Sequence, residues 1–280
     1  MQPTFTEIKY AAKKALKHRW AEAIAVSMVF LATALLDIMI QVMLMTILKV
    51  NTVWTPFTPT EAPVSNTIAS ICITAFSGIF SITVMFPLIF GVMRWFWNVT
   101  GGGDPNINDI FCYFSTAKLF FKSLKISLGL FLRLIIGAVV CFLPYALIDI
   151  FTSPDIYSAW NINMPSVMAG FRTLTSTFEL IGFIAFTLFM ATFAPFYAIM
   201  YIEPELSAHS TLKRATVISR HNRWRFVGFV LSFMGWFALC LLALPLIFVV
   251  PFFMASLAIY GREAYRHATR SNSTDGVSCW

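Results

Sequence analysis

Long apolar runs alternate with short basic segments along this chain. Four of the runs, residues 21–44, 68–95, 124–148 and 174–201, are mostly apolar. Each is long enough to cross a hydrocarbon core of about 30 Å as a helix. A fifth run, Phe226–Tyr260, holds no charged residue and is 35 residues long. As one helix it would measure about 52 Å at 1.5 Å per residue, too long for one comfortable span and just enough for two short ones. The pattern predicts an all-α, polytopic transmembrane helical bundle of six spans. The last two are placed at 226–243 and 246–263, with a turn near Leu242–Leu246 that contains Pro245.

The segments ahead of the odd-numbered spans share a pattern. Phe5, Ile8, Ala12 and Leu16 recur at helical spacing, with Lys9, Lys13 and Lys17 on a neighbouring face. Ile107, Ile110, Phe111 and Phe114 precede the third span, followed by Lys118 and Lys122. Leu206, Leu212, Ala215 and Ile218 precede the fifth, with Lys213, Arg214 and Arg220. Each predicts a basic amphipathic helix on the cytoplasmic leaflet, where anionic lipids attract Lys and Arg. The alternative is a solvated helix packed on the bundle. The even-numbered spans carry Phe86-Pro87-Leu88-Ile89, Ala194-Pro195-Phe196-Tyr197 and Val250-Pro251-Phe252-Phe253. Proline removes a backbone hydrogen bond, so a kink is expected at Pro87, Pro195 and Pro251. Together these features predict one unit, a surface helix followed by a helical hairpin, used three times.

Composition agrees with a hydrocarbon solvent. The chain is 58% hydrophobic and 12% charged, whereas soluble domains carry about 25% charged residues. Charge then sets the orientation, because Lys and Arg gather on the cytoplasmic side. If Phe226–Tyr260 is a hairpin, seventeen of the 20 basic residues fall on one side, leaving Lys49 and Arg172 opposite and Arg133 within a span. Both termini are therefore expected in the cytoplasm and the chain in the cell membrane. Trp20, Trp95, Trp97 and Trp224 then fall at the inner interface, with Trp54 and Trp160 on the outer side. Residues 1–267 are expected to form a single transmembrane domain and 268–280 a polar, disordered tail. The first 20 residues are basic and the apolar run after them is too long for a cleaved signal, so the first span reads as an uncleaved anchor.

Several stretches resemble a bacterial membrane-protein family known as domain-of-unknown-function nine-seven-five. They are Ile8-Lys9 with Ala12-Lys13, Leu16-Lys17 and Trp20; Pro87-Leu88-Ile89-Phe90-Gly91; Asp109-Ile110-Phe111 with Phe114 and Phe121-Lys122-Ser123-Leu124; and Leu231-Ser232-Phe233-Met234-Gly235-Trp236 with Pro251-Phe252 and Ala258-Ile259-Tyr260. Phe252 departs from the family's usual tyrosine. The resemblance covers nearly the whole chain and implies a membrane protein, with no agreed activity.

Signatures of catalysis are missing from the sequence. It has no His-Glu-x-x-His, no Gly-x-Ser-x-Gly and no phosphate-loop lysine; Gly101-Gly102-Gly103-Asp104 reads as a flexible loop. His18, His209, His221 and His267 form no metal-type set. Nor do Cys72, Cys112, Cys141, Cys240 and Cys279 show paired spacing. The residues that stand out are ionisable ones inside spans: Asp37, Arg133 and Glu179. A charge at mid-membrane costs about 2.5–3.5 kcal/mol on insertion scales. Their overlapping depths suggest a polar network bridged by the arginine, serving either as a pathway through the bundle or as an ion pair that fixes helix packing. The expectation is a non-enzymatic scaffold, partner-binding or envelope-maintenance protein, with no cofactor and no nucleic acid, whose partners are anionic membrane lipids. The alternative is a small transporter or exporter of a lipid or peptide.

Overall fold

A computed structural model describes residues 3–48, 64–151, 165–193, 195–219, 222–240 and 245–274. Among these the chain is helical throughout, with no strand. In order come α1 (Phe5–Leu16), α2 (Trp20–Ile47), α3 (Val64–Phe80), a π-helical turn (Ser81–Met85), α4 (Phe86–Thr100), a 3-10 turn (Ile107–Phe111) and α5 (Ala117–Phe151). There follow α6 (Pro165–Ala191), α7 (Phe196–Ile202), α8 (Ala208–Ser219), α9 (Arg223–Leu231), α10 (Met234–Leu239) and α11 (Leu246–Thr274).

Among the described residues, five stretches are long and apolar enough to cross a membrane: Trp20–Ile47, Ile68–Thr100, Ala117–Asp149, Thr173–Ile202 and Leu246–Arg270. Their outward faces are apolar. α2 alone exposes Leu35, Leu36, Ile38, Met39, Val42 and Met43, a display that a water-solvated surface rarely carries. The expected fifth span, 226–243, differs. It is interrupted at Ser232–Phe233 into the 9-residue α9 and the 6-residue α10. Residues 241–244 of the expected turn lie outside the described residues. The described residues on either side of them nevertheless pack on one another. Phe233 packs on Phe252 and Phe253, and Phe237 on Phe253, with ring centroids 5.2–5.5 Å apart. Phe226–Tyr260 is therefore not one helix.

Contacts divide the chain into two compact units. One comprises Met1–Leu128 and Ser232–His267, the other Gly129–Leu231 and Ala268–Trp280. α11 runs on to Thr274, past the start of the expected tail.

The first unit is built around α1, α4, the 3-10 turn and α11. α1 starts at a capping box in which the Thr4 side chain accepts from the Glu7 amide and the Glu7 carboxylate accepts from the Thr4 amide. Lys13 and Lys14 in its last turn oppose the helix dipole. Its stripe Ile8, Ala12 and Leu16 is buried inside the protein, Ala12 and Leu16 in a core with Val26, Trp95, Phe96, Ile110 and Ala258. Burying Ile8 and Leu16 contributes about 1.5–3 kcal/mol each. α1 is thus packed on the bundle, the alternative left open by the sequence, and its apolar face is unavailable to lipid. Trp95, expected at the interface, is fully buried.

In the second unit α5 and α6 run antiparallel. Gly137 lies against the Phe189 ring, and Gly182 against the Cys141 carbonyl and the Phe142 ring. α8 packs beside the same helix, with the Leu212 side chain against Gly129.

The three prolines act differently. Before Pro87 the helix widens into the π turn, where the Phe86 amide bonds the Ser81 carbonyl; a proline that cannot donate favours such a local adjustment. At Pro195 the helix stops, α6 ending at Ala191 and α7 starting after the proline. Pro251 sits in the second turn of a continuous α11. There it deprives only the Ile247 carbonyl in the first turn, so no break results.

Candidate functional site

The stretches that carry the family resemblance meet in the first unit. Lys9 Nζ donates to the Ser232 carbonyl at 2.5 Å and lies 4.3 Å from the centroid of the Phe233 ring. The ammonium binds a backbone carbonyl at the break between α9 and α10, and burial lowers its pKa. Gly91 lies so close to Ile110 that a Cβ would meet the Ile110 carbonyl oxygen. Asn106 and Asp109 close a capping box on the 3-10 turn, holding Ile110 in that position.

At the end of α4, what reads as a flexible glycine run is an ordered cap. Gly101 and Gly103 donate their amides to the Asn98 carbonyl, and Gly102 adopts φ 83°, a conformation open to glycine. Arg262 from α11 completes the cap. It donates to the Thr100 carbonyl at 3.0 Å and the Trp97 carbonyl at 2.8 Å, and stacks 4.5 Å from the Trp97 ring centroid. Arg19 pairs with Asp104 and, at 3.8 Å, with Glu22. Asp104, Asp109, Trp97, Asn98 and Arg262 line an open cleft of about 420 Å³. Beside it the Cys112 thiol is pushed up by burial, against the lowering charge of Arg94 and a hydrogen bond from it, so the thiol stays protonated. Burial raises the Tyr113 phenol likewise. The chemistry of this junction is that of a clamp: cations hold helix ends and carboxylates hold turns.

Within the spans, the structure separates Arg133 from Glu179. Gly182 of α6 lies against the Cys141 carbonyl of α5, so Glu179, three residues before it on the antiparallel helix, falls near the level of Tyr145. Arg133 is three turns away, about 18 Å at 1.5 Å per residue. Its Nη2 instead donates to His209 Nδ1 of α8 at 3.4 Å. Glu179 is exposed on the helix surface. A bridge from Arg133 to Glu179 is therefore not formed; depth counted along the sequence missed the pairing of helix levels. Asp37 belongs to the first unit and has its own partners. Its Oδ2 accepts from Gln41 Nε2 at 2.8 Å and Ser77 Oγ at 3.2 Å, and Gln41 Nε2 also donates to Ser77 Oγ at 3.0 Å. Asp37 Oδ1 is shut away without a hydrogen bond. Gln41 was findable in the sequence, since it stands four residues after Asp37 on the same helix face. Ser77 comes from α3, and no local signal links it to Asp37.

The basic residues expected at lipid divide. Lys13, Lys17, Lys118 and Lys213 are exposed, and Lys122 is half-buried. Lys9 is turned inward, as above, and Arg214 is paired with Glu203. Arg220 lies outside the described residues.

Over residues 1–268 the chain matches the family model described as "Protein of unknown function (DUF975)". No curated protein and no solved structure matches it.

Proposed function

We propose that this chain, which belongs to the family of proteins of unknown function DUF975 over residues 1–268, is a non-enzymatic scaffold, partner-binding or envelope-maintenance protein of a bacterial cell membrane. It crosses the bilayer six times, the α9–α10 arm being a short sixth crossing, and both termini are cytoplasmic. The three hairpins are repeats of one unit, and their basic segments contact anionic lipids of the inner leaflet. The observation that carries this reading is the use of charge at the junction. Lys9, Arg19 and Arg262 bind carbonyls or carboxylates of neighbouring elements, an investment in rigidity suited to a fixed surface.

A second reading, a small transporter or exporter of a lipid or peptide, is favoured by one feature, the Asp37–Gln41–Ser77 cluster between two apolar helices. Intramembrane carboxylates held by polar neighbours often mark translocation paths. Complementation separates the two. In a deletion strain with an envelope-stress phenotype, an Asp37→Leu, Arg133→Leu double variant restores growth as fully as the parent chain if the protein is a scaffold. Loss of complementation at normal membrane abundance overturns the scaffold reading in favour of transport.

A further inference from the structure

Three basic segments stand ahead of the hairpins, yet they differ in what they show to the outside. α1 spends its apolar stripe on the protein core and presents Lys13, Lys14 and Lys17, with Tyr10. α8 buries Leu212 and Ala215. The segment from Ile107 to Phe121 does the opposite. The segment opens with a 3-10 turn over Ile107–Phe111, and the bends that follow carry the chain into α5 at Ala117. Ile110 and Tyr113 point inward and are buried, and Phe111 and Phe114 face outward. They are 46% and 40% exposed, and Phe121, at the start of α5, is 57% exposed. Phe114 packs on Phe120 and Phe120 on Phe121, each pair with ring centroids 5.9 Å apart, so these three rings form one patch, and Phe111 stands one turn before it, its carbonyl accepting from the Phe114 amide. Exposed Lys118 and Lys125 border it, and Arg94 stands beside Cys112, next to Phe111.

Two features identify what covers this patch. The first is continuity along α5. Phe121 is followed by exposed Leu128 and Leu132 on the same helix, seven and eleven residues on and thus on one face. The patch therefore continues the lipid-facing side of a membrane-crossing helix. The second is charge. Lysines beside aromatic side chains match the phosphate level of an anionic leaflet, where aromatic rings settle and long basic side chains reach outward.

We propose that residues 107–125 are the chain's interfacial anchor. Phe111, Phe114 and Phe121 enter the leaflet edge, and Lys118 and Lys125 hold anionic lipid headgroups beside them. This rests on the reading of the chain as a lipid-contacting membrane protein and narrows that contact from three segments to one that inserts and two that bind by charge alone.

The test uses the full chain in nanodiscs of phosphatidylcholine, alone or mixed with phosphatidylglycerol. Nitroxide labels are placed at Phe111→Cys, Phe114→Cys and Tyr10→Cys on a background lacking the native cysteines. Variants are compared at matched thermal stability. Labels at 111 and 114 are expected to collide with oxygen and to be shielded several-fold from an aqueous nickel chelate. The label at 10 should show the reverse. Labels at 111 and 114 as open to nickel as that at 10, or shielded from both reagents as under a protein partner, overturn the anchor. In parallel, phosphatidylglycerol retained by the purified chain is weighed by native mass spectrometry. A Lys118→Gln, Lys125→Gln variant is expected to retain at least twofold less. Unchanged retention overturns the headgroup half of the proposal. An aqueous 111 and 114 together with lysine-dependent retention overturns the anchor and leaves the broader lipid-contact reading standing. Loss of both signals overturns that reading too.

Discussion

Gly91 shows how one residue can fix a junction. Its hydrogen lets the 3-10 turn lay the Ile110 carbonyl directly on α4, so the turn and helix pack backbone to backbone. Alanine there must push the turn away, and overpacking of this kind costs about 1–3 kcal/mol. Gly91→Ala is therefore expected to lower the melting temperature in detergent clearly, by scanning fluorimetry. Gly78 serves as the control, since nothing lies within 4 Å of its would-be Cβ. Gly78→Ala should change stability by no more than the helix-propensity difference, about 1 kcal/mol. If both variants melt alike, the close approach has no energetic weight. The Asp37 neighbourhood makes a related point. A charged residue in an apolar run is visible at once in the sequence, but its partners depend on which helix lies alongside.

At the level of elements, the junction is held by cations at helix ends. The last carbonyls of a helix lack intrahelical donors, and the dipole makes them electronegative. Arg262 supplies two donors to the end of α4, and Lys9 supplies one at the break before α10. Lys9 thereby anchors the turn from which the 6-residue α10 starts, and short helices owe their stability to tertiary contacts. Lys9→Met keeps the length of the side chain and removes the donors. Hydrogen exchange of the Met234–Leu239 amides is expected to speed up several-fold in this variant, and Lys9→Arg to restore part of the protection. Unaltered exchange would show that the rings of Phe233 and Phe237 hold α10 unaided. The same view explains why the prolines act unequally. The cost of a missing amide depends on which carbonyl it leaves bare, and for Pro251 that carbonyl belongs to the first turn.

For the whole molecule, the open question of topology turns on the α9–α10 arm. Among the described residues, five stretches are long enough to cross, and the packing of Phe233 on Phe253 favours the proposed sixth crossing. With six crossings, a cysteine-reactive tag placed after Trp280 is protected in sealed cells from an impermeant maleimide and reacts only after permeabilisation. A tag that reacts before permeabilisation sinks both the six-span count and the cytoplasmic placement of the C-terminal end.

The sequence by itself determined the solvent of this protein and the extent of its main helices. Apolar runs of the required length and a low charge content leave a chain no other way to satisfy its backbone in lipid than as helices, and these are local, additive properties. It also marked the residues of the junction through the family-like stretches around Lys9, Gly91, Ile110 and Phe233, without revealing that they meet. Only the tertiary structure decided what those charges and faces do. It turned Lys9 inward, gave Arg133 to His209 and left Phe111 and Phe114 outside. The physical reason is that a side chain's partner is set by the helix packed against it and by the level at which the two helices cross. Neither is encoded in spacing along one chain segment.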